Sequence, residues 1–214
     1  MPFYGDHVYP RLVKLLGDPE PIRAIRRRII PRAQGQVLEL GVGPGVNFEY
    51  YDAARVSKVH ALEPNPGTLR LAERQRRCTS VEVEFLSFPG ERIPLPDGTV
   101  DTVVSTFTLC TIPGVGEALR EAARVLKPGG QLIFFEHGRC PDARLRRWQV
   151  WTEPLPHWIF EGCHLTRDIP ALIAAGGFEI AEMGRGYLAR FPKSWTYCFW
   201  GMARPLSRAG NARG

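Results

Sequence analysis

The stretch VLELGVGPG at residues 37–45 holds the residue types and spacing with the most chemistry in them. Val37, Leu38 and Leu40 read as a buried strand. Gly41, Gly43 and Gly45, with Pro44 among them, read as the turn that leaves it. Glu39 stands inside the apolar run, and an interior does not accept a carboxylate without a partner. The acid therefore points to a polar ligand held at the turn. A second acid, Glu63, falls 18 positions after Gly45. A carboxylate there can accept hydrogen bonds from both hydroxyls of a ribose. The spacing is not the G-x-G-x-x-G of a pyrophosphate loop, because Val46 occupies the place of the third glycine. Taken singly, the glycines could form a plain tight turn and Glu63 could be an acid favoured at a helix N-terminus. Together, in a strand–helix–strand frame, they point to one shared nucleoside site.

Further candidates lie in the second half. His137 follows Glu136 at the end of the apolar run QLIFFEH and could accept a proton, or be a histidine satisfied by the backbone. Glu136 could orient it or neutralise a cation. Cys163, His164 and Arg167 fall in IFEGCHLTRD at 159–168, where Thr166 could instead cap the following helix. Trp148, Trp151 and Trp158 crowd the same half; they could wall an apolar pocket, face a cation or simply be core.

The elements that must position these residues alternate between strand-like and helix-like from residue 36 onward. That alternation implies a parallel sheet with crossover helices. Strands are expected at 36–40, 57–62, 81–86, after the turn at 96–101, at 131–137, at 178–183 and at 195–203. Helices are expected at 45–54, from Pro66 to about Arg77, at 116–126 and from about 166 to 175. Asn65 suits a helix cap and Pro66 a first helical position in Glu63-Pro64-Asn65-Pro66. Lys127-Pro128-Gly129-Gly130 should stop the helix before it.

The 214 residues fit one domain, with 1–34 as an N-terminal helical cap, 138–168 as a substrate-side insertion and 204–214 as a flexible tail. No apolar run reaches the roughly 20 residues of a membrane span, and the first residues lack the layout of a signal peptide. The five cysteines are widely spaced with no C-x-x-C pair, so neither a disulfide framework nor a metal site is suggested. Reduced thiols in a cytoplasmic protein are the plain reading. The formal net charge is +6. Arg23, Arg26, Arg27, Arg28 and Arg32 accompany Ile22, Ile25 and Ile29 at helical spacing. Residues 22–32 could therefore touch an anionic membrane surface, or pack over the core with a solvated basic face. No zinc knuckle or added RNA-binding module suggests nucleic acid.

The glycine loop resembles motif I of the class I S-adenosylmethionine-dependent methyltransferases. ERIPLPDGTVDTVVSTFTLC resembles their post-strand-three and motif IV region, and REAARVLKPGGQLIFFEH their helix–turn–strand signature. The resemblance implies a Rossmann-like α/β fold: a seven-stranded, mostly parallel sheet with helices on both faces and the last strand antiparallel. It implies S-adenosylmethionine as cofactor and S-adenosylhomocysteine as product. It places the methionine tail and ribose near Glu39, Gly41, Gly43, Pro44, Gly45, Glu63 and Pro64. Adenine would lie near Asn65, Gly90 and Glu91, over a floor of Thr106 and Phe107. Many relatives carry an aspartate two residues before the position of Glu91; here Pro89 stands there. STFTLC, FFEHG and IFEGCHLTRD resemble the alkyl thiol S-methyltransferases in particular. That implies a small thiol or sulfide acceptor met by Trp158, Cys163 and Arg167, with His137, Glu136 and His164 as candidates for catalysis. Cys163 need not be a nucleophile, because direct transfer has no covalent intermediate. Two alternatives stay open: an N-methyltransferase of phosphatidylethanolamine or another amphiphile, and a protein that binds the cofactor without turnover.

Overall fold

The computed structural model describes residues 19–160, 162–188 and 192–206. Residues 1–18 of the expected cap and 207–214 of the expected tail lie outside them. The chain builds one seven-stranded sheet in the order β3-β2-β1-β4-β5-β7-β6. The strands are β1 (Gly35–Leu40), β2 (Val56–Leu62), β3 (Glu82–Leu86), β4 (Val100–Thr106), β5 (Leu126–His137), β6 (Phe178–Tyr187) and β7 (Tyr197–Pro205). β1 pairs in parallel with β2 on one side and β4 on the other, and β4 with β5. β7 runs antiparallel to both β5 and β6. Strand order therefore reverses between β1 and β4, and the loops leaving these two strands flank the crevice where such sheets take ligands.

Both faces of the sheet are covered, and the side chains divide by the period of two. Leu38, Leu40, Leu132 and Phe134 join the cluster that packs against Leu119, Ile169 and Ile173. Val37, Ile133 and Phe135 join the cluster that holds Ile22, Ile29 and Ala72. Glu39 shares the parity of Val37, and Glu136 that of Phe134, so each acid is carried into a different layer.

The helices are α1 (Glu20–Ile29), α2 (Pro66–Gln75), α3 (Val115–Val125), α4 (Ala143–Thr152), α5 (Pro154–Ile159) and α6 (Ile169–Ala175). Asn65 caps α2 as expected, its Oδ1 accepting the Gly67 and Thr68 N–H groups at 2.8 and 3.0 Å. α3 stops at Val125, and Leu126 already pairs with Val100 as the first residue of β5; Lys127–Gly130 form an irregular stretch of that strand before the regular register resumes at Gln131 with Thr102.

Four expectations are corrected. No helix forms at 45–54; turns and a single 3-10 turn at Phe48–Tyr50 stand there. Gly45 has φ +80, outside the right-handed helical region, and the Asn47 and Tyr51 side chains are drawn inward to Glu39. α6 is capped by Asp168, which accepts the Ala171 N–H at 3.3 Å, and not by Thr166, whose hydroxyl donates to Glu153 at 2.6 Å. Arg204 and Pro205 complete β7 instead of fraying, and the Leu206 N–H donates to the Gly177 carbonyl at 2.8 Å. The three tryptophans of the 138–168 segment are neither core nor enclosed: Trp148, Trp151 and Trp158 are all exposed.

The arginine-rich helix packs over the sheet through Ile22, Arg26 and Ile29. The outer arginines of the helix and of the turn after it have acids close by: Arg23 and Arg27 pair with Glu20, and Arg28 and Arg32 with Glu182. No helix among the described residues is long and apolar enough to cross a membrane.

Candidate functional site

The loop after β1 passes through three glycines with φ of +62, +57 and +80 at Gly41, Gly43 and Gly45. Gly41 lies against Thr108, and a Cβ built there would stand 2.5 Å from the threonine Oγ1. Gly43 is the opposite case: its Cβ would find nothing nearer than the Gly41 carbonyl at 4.0 Å. Gly41 thus serves packing between the two loops, and Gly43 leaves the crest of the turn bare for a ligand's close approach. Glu63, at the end of β2, reaches across to this crest. Its Oε2 accepts the Gly43 N–H at 3.1 Å and its Oε1 the Asn65 N–H at 2.9 Å. One carboxylate therefore joins the glycine turn to the start of α2. A carboxylate oxygen can accept more than one hydrogen bond, which suits a pair of ribose hydroxyls. The open crest and the adjacent acid fit a nucleoside cofactor that brings no phosphate.

Glu39 lies below the turn. It is buried, with Asn47 Nδ2 donating to Oε1 and the Tyr51 hydroxyl to Oε2, both at 2.7 Å. Arg26 of α1 donates to Asn47 and, at 3.3 Å, to Thr106. The acid's polar partner is thus the protein itself, and its effect on the turn passes through Asn47 and Tyr51. Sequence reasoning missed Arg26, although the signal was there: it falls four residues after Ile22 and three before Ile29, on the apolar face.

Burial raises the Glu39 pKa from 4.5 to about 7, against the lowering effects of Tyr51, Asn47 and Arg26. Below pH 4.5 the folded and unfolded chains both carry this proton. Between 4.5 and 7 only the folded chain keeps it, so stability from this residue falls as pH rises through that window. The predicted loss is about 3 kcal/mol between pH 4 and 8. Urea unfolding of wild type and Glu39→Gln across this range should show the variant's profile flatter by that amount; parallel profiles would refute the assignment.

The loop after β4 forms the other wall. Glu136, fully buried on β5, accepts from the Ser105 hydroxyl at 2.7 Å, the Thr108 N–H at 3.1 Å and the Cys110 N–H at 3.2 Å. Burial raises its pKa, and these bonds oppose the rise. Its contacts hold the loop; none of them reaches His137. Phe107 takes φ +56, the single positive value among the described non-glycine residues. Its ring lies 4.4 Å from that of His137 and 4.5 Å from that of Phe135, with the Arg26 guanidinium 5.8 Å above it. A left-handed conformation costs a side-chain-bearing residue about 1–2 kcal/mol, and such strain gathers at working sites.

The remaining candidates separate. His164 pairs with Glu153 at 3.0 Å, and its N–H donates to the Cys110 carbonyl at 2.7 Å. Arg167 donates to the Leu109 and Ile112 carbonyls and so braces the loop after β4. Glu91 accepts the Gly114 N–H at 2.9 Å, and Gly90 packs against Ile112. Trp158 is 64% exposed. His137 and Cys163 do come together: the Cys163 Sγ lies 3.9 Å from His137 Nδ1 and 3.5 Å from the Sγ of Cys110. Cys110 was missed because it stands 53 residues from Cys163, a separation no spacing rule connects. The bond with Cys163 and burial push its thiol pKa well up.

A mostly parallel sheet with a glycine turn and a facing acid at its switch point defines the Rossmann-like class that holds a nucleoside-bearing cofactor. The comparisons carry the assignment further. A methyltransferase-domain family matches residues 38–134. Human thiol S-methyltransferase TMT1A is 34% identical over 170 residues, covering 77% of this chain and 67% of that protein. Rat thiol S-methyltransferase TMT1B is 36% identical over 136 residues, and the matched part spans 55% of that protein and 62% of this chain. Demethylmenaquinone methyltransferase of Thermus thermophilus is 30% identical over 132 residues, 60% of each chain. Among solved structures, a putative methyltransferase of Bacillus halodurans superposes with a TM-score of 0.70 at 16% identity, over 86% of this chain and 98% of that one. The chain belongs to the class I S-adenosylmethionine-dependent methyltransferases, and S-adenosylmethionine is its cofactor.

Proposed function

We propose that this protein transfers a methyl group to a small thiol or sulfide. The observation that carries the reading is a buried, sulfur-rich apolar cluster packed against the loop after β4. Cys110, Cys163 and Leu165 form a buried cluster there, packed by Phe107, Phe160 and Trp195. An apolar, sulfur-rich surrounding behind the loop suits a soft, poorly hydrated acceptor better than an amine or alcohol. The relatives named as thiol S-methyltransferases are 34–39% identical to this chain, which supports the same reading.

When bound, S-adenosylmethionine supplies a methyl group on a sulfonium, open to in-line displacement by a nucleophile. The protein's share is then positioning and exclusion of water. The Gly43 crest and Glu63 would hold the nucleoside, and Phe107 would form the floor between it and His137. A free thiol ionises near pH 8.5, so a fraction is already thiolate at neutrality and the demand on a base is small.

A second reading rests on a different surface. Arg144, Arg147, Trp148 and Trp151 line an open groove, and Val150, Leu155 and Trp158 are exposed nearby. Tryptophan and arginine together favour a membrane interface, where an amphiphilic acceptor such as phosphatidylethanolamine would be met. One experiment separates these readings from cofactor binding without turnover. The protein is incubated with methyl-labelled cofactor and, in parallel, with sulfide, an alkanethiol and phosphatidylethanolamine vesicles. Label in methanethiol from sulfide, or in a volatile thioether from the alkanethiol, is expected. Label confined to the lipid extract would replace the thiol reading with the second, and cofactor binding without product in any arm would overturn both.

A further inference from the structure

We propose that Cys110, His137 and Cys163 form a binding site for one thiophilic divalent cation, zinc, with a fourth coordination position left for the acceptor sulfur. The inference deepens the thiol reading above and rests on it for the fourth ligand only. The three donor atoms come from three segments distant in sequence and all lie within 4.8 Å of one another. The two sulfurs are 3.5 Å apart, and Cys163 Sγ is 3.9 Å from His137 Nδ1. Around a tetrahedral zinc ion, bond lengths of about 2.3 Å to sulfur and 2.05 Å to nitrogen set sulfur–sulfur and sulfur–nitrogen edges near 3.8 and 3.6 Å. These two edges are within a few tenths of an ångström of the ideal, and the third, from Cys110 to His137, lies within 4.8 Å, so metal binding would draw the two side chains together. Two cysteines and one histidine are also the kind of three-ligand set that leaves zinc an open position, whereas closed structural sites take four protein ligands.

Each ligand stands on a braced segment. Cys110 is fixed through its N–H to Glu136 and through its carbonyl, which accepts the His164 N–H at 2.7 Å. The flanking Leu109 carbonyl accepts from Arg167. The ring of His137, at the end of β5, lies against Phe107. Cys163 precedes Leu165, whose carbonyl accepts the Gln149 amide at 2.7 Å. Such bracing fixes ligand geometry before a metal arrives. Cation binding would release the ligand thiol protons to solvent. The same coordination would favour the thiolate of an acceptor with no side chain acting as base.

The test is metal binding, read without turnover. Full-length protein is stripped with a chelator under reducing, oxygen-free conditions and titrated with cobalt(II). Thiolate-to-cobalt charge-transfer absorption should grow to one equivalent and disappear on adding zinc. Cys110→Ser and Cys163→Ser should each diminish the band, whereas Cys78→Ser, at an exposed cysteine, should leave it intact. His137→Ala should weaken cobalt binding by more than about 100-fold, since loss of outer-shell partners alone costs up to that much. Circular dichroism would verify that each variant folds; the wild-type titration decides the matter even where one does not. No charge-transfer band in wild type would overturn the proposal, as would a band that survives in folded Cys110→Ser and Cys163→Ser. A stoichiometric metal with no thiol product would keep the site and remove the acceptor reading. Thiol methylation at full rate by the stripped protein would keep the acceptor reading and overturn the fourth coordination position proposed for the acceptor sulfur.

Discussion

Replacing Glu63 by alanine should weaken S-adenosylmethionine binding by about 100-fold while leaving the protein folded. Hydrogen bonds to a charged group contribute about 1.5–3 kcal/mol each, and the two ribose hydroxyls would lose theirs together. The loss has a second source in the protein. The same carboxylate accepts the N–H groups of Gly43 and Asn65, so its removal frees the glycine turn from the start of α2. Stability should fall by only about 1–2 kcal/mol, because the freed amides lie near a solvent-accessible cleft and can take water. Glu63→Gln keeps one acceptor oxygen and nearly the same shape, and should fall between alanine and wild type. Isothermal titration with the cofactor measures the affinity, and urea unfolding measures the stability. Wild-type affinity in Glu63→Ala would remove the acid from the cofactor site altogether.

The architecture was readable wherever local pattern and tertiary demand agreed. The apolar run 37–40 had to be a strand, the Asn65-Pro66 pair had to open a helix, and the alternation of strands with helices had to give a parallel sheet. The reading failed where a buried polar side chain overrode the local pattern. Residues 45–54 look like a helix, yet Asn47 and Tyr51 turn inward to Glu39. The acid within the apolar run was correctly singled out as needing a partner. That the partner was Asn47 and Tyr51, with Arg26 behind them, depends on how α1 crosses the sheet, which no local window contains. The order β5-β7-β6 at one edge of the sheet, and the encounter of Cys110 with Cys163, are likewise long-range. By contrast, composition left the tryptophans between pocket wall, cation contact and core, and only the core reading is excluded, because Trp148, Trp151 and Trp158 are all exposed.

The three glycines of the turn look equivalent in sequence, and the structure gives them separable roles. Gly41→Ala should act on folding. Its Cβ would meet Thr108 Oγ1 at 2.5 Å and Cγ2 at 2.6 Å, and Thr108 has little room to yield. Its N–H is held by Glu136, and its hydroxyl donates to the Thr106 carbonyl at 3.2 Å. Overpacking of this kind costs about 1–3 kcal/mol, and a left-handed alanine adds about 1 kcal/mol more. A loss of about 3 kcal/mol in unfolding free energy is therefore expected, with part of it restored by Thr108→Ala in the same chain. Gly43→Ala should act on the ligand. No protein atom stands in the way of its Cβ, so the stability cost should be the conformational one alone, about 1 kcal/mol. The added methyl group would occupy the bare crest of the turn, where a cofactor has to approach the backbone, and should lower its affinity by at least about tenfold, the equivalent of 1.4 kcal/mol. Urea unfolding and cofactor titration on the two variants would give opposite rankings. Equal effects on both measurements would mean that the turn is a plain structural bend and that the cofactor lies elsewhere.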